Sequence, residues 1–199
     1  MTPAETVSES TLRPNVDLVF AAEDGDLEQV RRLLEQGADI DEPDQHGCTA
    51  LQLAFAEGHG EIVNLLLDKG AETGVTDEEG FCLLHWAVFS GDVDFLQQAN
   101  HLDGEIERRD QEGRTPLSWT SGREVNWAEG AAWLLEQGAD LETADNDGWT
   151  PLHHAASADS LGVLRCLLKA GADPEACDSK GRTPTDVAAS ESVVRLLKG

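Results

Sequence analysis

Basic residues are scarce in this chain: 14 lysines and arginines stand against 39 aspartates and glutamates, a formal charge of -25 over 199 residues. Such a field repels phosphate backbones and anionic lipid, so nucleic acid and membranes are not expected partners. The acidity is compatible with a protein partner that has a basic surface, and equally with a merely solvated or salt-adapted exterior. Cysteines are few, and Cys48, Cys82, Cys166 and Cys177 form neither a C-x-x-C pair nor a metal-finger spacing. Reduced thiols in a cytoplasmic setting are the expectation. The stretch Met1 to Asn15 is polar, carries Glu5 and Glu9, and has no apolar run of the kind found in signal peptides or anchors. Also missing are a Cys-His pair, a G-x-S-x-G elbow and a P-loop, so no catalytic, cofactor-binding or metal-binding residue is expected.

What the chain does have is a period. Asp44-x-x-Gly47, Asp77-x-x-Gly80, Asp110-x-x-Gly113, Asp145-x-x-Gly148 and Asp178-x-x-Gly181 start at intervals of 33, 33, 35 and 33 residues. A repeat of that length marks stacked supersecondary units, and chain length then counts units rather than domains. The clearest unit runs from Asp145 through Thr150-Pro151-Leu152-His153-His154-Ala155-Ala156 to Leu167-Leu168-Lys169-Ala170-Gly171. It reads as two short helices. A threonine hydroxyl can accept a free backbone N–H, and proline has no donor to lose at the first helical position. Thr115-Pro116 and Thr183-Pro184 repeat the device. Ala54, Ala87, Ala155 and Ala156 allow close helix approach, Leu65-Leu66-Leu67 and Leu134-Leu135 supply a buried face, and Gly37, Gly70, Gly138 and Gly171 can end helices in the left-handed conformation.

On these residues the chain resembles the ankyrin-repeat family, whose D-x-x-G-x-T-P-L-H-x-A-A, L-L-L and G-A-D pattern is matched closely from Asp145 to Asp173 and well from Asp44 to Glu72. The resemblance covers roughly residues 16–199. It implies an all-α solenoid of about six stacked helix-turn-helix units joined by β-turns. The expected divisions are a flexible tail over 1–15, an N-terminal cap over 16–43, internal repeats over 44–76, 77–109, 110–144 and 145–177, and a C-terminal cap over 178–199. The family's histidine at the place of His85 and His153 typically bonds to neighbouring turns; Gln52, Ser118 and Asp186 stand at the equivalent places and retain hydrogen-bonding groups.

Two units depart from the pattern. In the third, Gln98, Ala99 and Asn100 replace the three leucines at 65–67, a loss on the order of a few kcal/mol of burial. This is either drift compensated by Trp86 and Phe95 or a soft point that flexes on binding. The fourth carries its surplus in Gly122-Arg123-Glu124-Val125-Asn126-Trp127, where Trp127 either packs locally or projects toward a partner. Trp119 and Trp133 are expected in the core.

The recurring aspartates invite an acid–base or metal reading, but turn chemistry accounts for them: the carboxylate accepts backbone donors, and neighbours would lie about 10 Å apart, too far to share an ion. Surface recognition remains. The resemblance places the usual binding face on the turn tips and first helices, where Phe81, Phe89, Arg114, Arg123 and Trp149 stand at positions expected to face solvent. Aromatics and arginine dominate binding hot spots, although the same rings could instead cover adjacent turns. The expectation is a non-catalytic, monomeric protein-binding module without cofactor. A second reading is an acidic inhibitor that occludes an enzyme or a nucleic-acid-binding protein by charge mimicry.

Overall fold

The computed structural model describes residues 14–122 and 127–199. Among them are eleven helices and no strand: α1 (Pro14–Glu23), α2 (Leu27–Glu35), α3 (Ala50–Ala56), α4 (Gly60–Asp68), α5 (Leu83–Ser90), α6 (Val93–Leu102), α7 (Pro116–Trp119), α8 (Ala128–Glu136), α9 (Pro151–Ser157), α10 (Leu161–Ala170) and α11 (Glu191–Lys198). The tail expected over 1–15 lies outside the described residues except for Pro14 and Asn15, which begin α1.

Consecutive helices pair, and the pairs stack in two rows. α1, α3, α5, α7 and α9 follow one another in the inner row, and α2, α4, α6, α8, α10 and α11 form the outer row. Alanines make the inner row possible: Ala22, Ala54, Ala87 and Ala155 are wholly buried and let backbones approach. Leu33, Leu66, Leu134 and Leu167 fill the space between the rows from the outer helices. Residues 184–187 form a turn where the pattern suggests a first helix. There Asp186 Oδ2 accepts from the Thr183 N–H and hydroxyl.

Each Asp-x-x-Gly step is built alike. In all five, Oδ1 of the aspartate accepts the backbone N–H groups two and four residues on, as Asp145 does from Asp147 and Trp149, and Asp44 from His46 and Cys48. The turns are then tied to one another. The backbone N–H groups of Glu78, Gln111, Asn146 and Ser179 donate to the carbonyls of His46, Glu79, Glu112 and Asp147, at 3.2, 2.8, 2.9 and 3.0 Å. Glycine is required where turns approach: at Gly148 φ is 82°, and a Cβ would lie 2.7 Å from the Ser179 nitrogen.

The third unit keeps most of its burial. Of the three replaced leucines only Leu66 is fully buried, so Ala99 marks the real loss. Phe95 compensates by packing edge-on against Phe55, with ring centroids 5.5 Å apart, over the space left by Gly58 and Gly60. α4 and α6 nevertheless touch least of all neighbouring outer helices. In the fourth unit Trp127 packs locally. Its N–H bonds the Thr120 carbonyl, and its ring lies against Gly130, where a Cβ would fall 2.2 Å away.

Candidate functional site: the inner face

The inner face is set by the second oxygen of each turn aspartate. Asp110 Oδ2 accepts from Arg114 Nε at 2.9 Å and Trp119 Nε1 at 2.8 Å. Asp178 Oδ2 accepts from Arg182 Nε at 2.8 Å and Trp149 Nε1 at 3.2 Å. Asp145 Oδ2 pairs with His154 Nε2 at 2.9 Å. Asp77 Oδ2 takes Trp86 Nε1 at 3.0 Å and the Cys48 thiol at 3.9 Å, with no cation. Asp44 Oδ2 receives no side-chain donor among the described residues.

These differences appear in the ionisation of the carboxyls. Burial pushes Asp77 above the usual carboxylate range, against the pull of its backbone and indole donors. Burial also acts to raise Asp178, but hydrogen bonds from the Arg182 N–H and guanidinium and from the Lys180 N–H hold it below that range. Desolvation of Asp145 is likewise outweighed, chiefly by His154. Burial raises the Cys48 thiol to about 12 and Cys82 to about 11, so neither is a thiolate nucleophile at neutral pH. No group of three or more histidine, cysteine or acidic side chains among the described residues could hold a metal ion.

Over the carboxylates lies an aromatic cluster. Phe81, stacked 5.2 Å from His85, meets Trp86, Phe89 and Trp119 at centroid distances of 5.6, 6.2 and 5.0 Å. Phe89 and Trp119 are 5.6 Å apart, and the Arg114 guanidinium sits 3.9 Å above the Trp119 ring. Trp149 stands in the next unit beside His154, 5.2 Å away, and Arg182, 5.7 Å away. A cleft of about 150 Å³ lies between Trp119 and Trp149, with Arg114, Ser118 and His154 also on its walls.

The structure therefore brings Phe81, Phe89 and Arg114 into one cluster and sets Trp149 across the cleft. Phe81, expected to face solvent, is only 8% exposed; Trp119, Trp86 and Phe89 cover it, because its aromatic ring is better buried than solvated. Phe89, Arg114 and Trp149 are half-buried. Arg123 lies outside the described residues. Trp119 and Trp133, expected in the core, are half-buried and pack against it, and Trp119 also covers Phe81 in the inner cluster. Trp119, His154 and Arg182 also belong to this face. A signal was present: Leu53, Trp86, Trp119, His154 and Val187 stand nine residues after successive turn aspartates, which puts them on one register position of the inner row.

The position held by His85 and His153 behaves as a bridge. His85 Nδ1 accepts from the Cys82 N–H at 3.3 Å and Nε2 donates to the Arg114 carbonyl at 3.2 Å. His153 repeats this between Thr150 and Arg182, and Gln52 reaches from Thr49 to Val75 and Phe81. Ser118 does not follow: its hydroxyl and that of Thr115 are buried without a partner among the described residues. A serine is too short to reach back to the cap and across to the next turn.

The fold and this face define a repeat scaffold of helix pairs whose turns and first helices form one continuous surface. A family model described as ankyrin repeats in three copies matches residues 18–100, 84–178 and 126–199, and the chain belongs to the ankyrin-repeat family. Comparison with curated proteins gives no match. Ankyrin repeats generally serve as protein–protein interaction modules and the family is typically a non-catalytic scaffold. No helix among the described residues is long and apolar enough to cross a membrane.

Proposed function

We propose that this chain is a non-catalytic binding module, six units long with a cap at each end, that holds a protein partner on its inner face as a cytoplasmic monomer. The observation that carries this reading is the row of half-buried Phe89, Trp119 and Trp149, separated by a cleft and flanked by Arg114. Half-exposed rings already held in place lose little entropy on binding and bury much area. Phe89, Arg114 and Trp149 are the anchors; Phe81 supports them from below, and Arg123 belongs to the same set by its place in the fourth unit. Acidic turn residues such as Glu78, Glu112 and Asp147 surround these anchors and speed the approach of a basic surface.

The test is a Phe89→Ala, Trp149→Ala double variant used beside the wild-type chain as bait in the native cell, with bound proteins quantified by mass spectrometry. The expected result is loss of the partner by a variant whose circular dichroism stays native at the assay temperature, even where its thermal transition is lowered. A variant that retains the partner at wild-type yield overturns the assignment. Phe81→Ala is kept separate because it opens the packed cluster. The charge of -25 supports a second reading, an acidic inhibitor that imitates a nucleic-acid surface. Salt separates the two: charge mimicry loses binding steeply as ionic strength rises, whereas binding anchored on aromatics persists.

A further inference from the structure

A second surface lies at the other end of the inner row. Phe20 is 51% exposed and is the one large apolar side chain left in solvent among the described residues. It opens a groove of about 500 Å³ that runs past Leu53 to Trp86. Glu23, Asp44, Glu57, Glu78 and Glu79 border it, and no lysine or arginine lines it. An apolar floor enclosed by uncompensated negative charge calls for an occupant that is both apolar and cationic.

The chain itself shows how a cation is received at the turn aspartates. Four residues after the aspartate, Arg114 and Arg182 turn back onto Asp110 and Asp178, and each guanidinium also lies over an indole, Trp119 or Trp149. The corresponding residues after Asp44 and Asp77 are Cys48 and Phe81. Yet the carboxylate-to-indole bond is kept: Trp86 Nε1 meets Asp77 Oδ2 at 3.0 Å as Trp119 Nε1 meets Asp110 Oδ2 at 2.8 Å, with the Cys48 thiol the other side-chain donor to Asp77 Oδ2. Asp77 and Trp86 thus reproduce the carboxylate-and-indole pair of the next unit without its arginine, and they do so on the wall of the groove.

We infer that this groove docks a segment of a protein partner in which an arginine stands beside a large apolar residue. The guanidinium takes the corner made by Asp77 and Trp86 with Asp44 beside it, and the apolar side chain covers Phe20 and Leu53. Arginine suits the corner better than lysine, because a planar guanidinium can pair with a carboxylate while stacking on a ring. The inference rests on the reading of the inner face as a protein-binding surface; Phe81 and Glu78 border both sites, but its contact residues Phe20, Leu53, Asp77 and Trp86 are not among the anchors Phe89, Arg114 and Trp149.

The experiment titrates the full chain into a fluorescein-labelled peptide of repeating Arg-Leu-Ala and follows anisotropy. Two control peptides replace every arginine by glutamate or every leucine by serine. The expected result is binding of the first peptide alone, weakened about tenfold or more by Phe20→Ser and by a Glu23→Gln, Glu57→Gln double variant, with unchanged circular dichroism. Trp149→Ala leaves the peptide affinity intact. Equal binding of the serine-substituted peptide, or an unchanged affinity in Phe20→Ser, overturns the inference, because either shows attraction by net charge alone. Loss of peptide binding in Trp149→Ala but not in Phe20→Ser also overturns it. In that case the aromatic cleft is the receptor and the proposed binding face stands. If Phe20→Ser weakens the peptide while the Phe89→Ala, Trp149→Ala bait keeps its partner, the groove stands and the aromatic cleft falls.

Discussion

His85 uses both ring nitrogens, one to accept the Cys82 N–H and the other to donate to the Arg114 carbonyl, and only a neutral imidazole can do both. Its burial lowers the pKa to about 4; the Arg114 carbonyl and the Asp110 charge act the other way, while Arg114 and Arg108 add to the lowering. In the unfolded chain the ring titrates near its ordinary value of about 6.5. As pH falls from about 6.5 to 4, the unfolded chain takes up a proton that the native state refuses, so stability present above that window is lost on acidification. The loss approaches about 3 kcal/mol. Asp77 contributes the opposite sign at the acid end, since burial raises its carboxyl and the native state binds that proton sooner. Urea unfolding followed across this range should show the downward slope in the wild-type chain and a flatter one in His85→Gln. That variant keeps a bridging side chain, as Gln52 does in its own unit. An identical slope in both proteins assigns the titration elsewhere.

The helices show how far local rules reach. Thr-Pro starts give α7 and α9 as expected, and Gly171 ends α10 with φ 103°. Yet α7 is four residues long where α9 has seven. α7 stops early at its C-terminal end, where the Thr120 and Ser121 hydroxyls donate to the Leu117 and Ser118 carbonyls; its cap differs as well. His153 closes the cap of α9 and ties it to the next turn, whereas Ser118 leaves two buried hydroxyls unpaired. Replacing Ser118→His should supply both bonds, reaching from the Thr115 N–H toward the Trp149 carbonyl. The expected gain is about 1 kcal/mol, visible as a higher melting temperature. A lower melting temperature would mean that the space beside Trp119 cannot take the ring. The sequence pattern shows that serine departs from the family place, but not that its hydroxyl goes unmet. That depends on reach, and reach depends on the neighbouring unit.

At the scale of the molecule, the period in the chain makes the architecture legible because every unit must meet the next with the same surfaces. The aspartates are read correctly as turn residues for the same reason. The face is less legible. Phe81 follows its glycine just as Arg114 and Trp149 follow theirs, yet it is buried, because Trp86, Phe89 and Trp119 converge on it from two units. Register alone does not distinguish a ring that covers from a ring that is covered. The row of bonded turns carries one more consequence. Glu78, Gln111, Asn146 and Ser179 have exposed side chains, but each amide proton is held by the preceding unit. In deuterated water these four should exchange slowly, while Gln45, which has no preceding turn, exchanges quickly. Each of the four then reports the opening of one junction. Glu78 has the longest of the bonds and belongs to the unit pair whose outer helices touch least, so it should exchange first. The four amides serve as a clock at the joints between successive turns, and their order of exchange shows where that part of the stack opens.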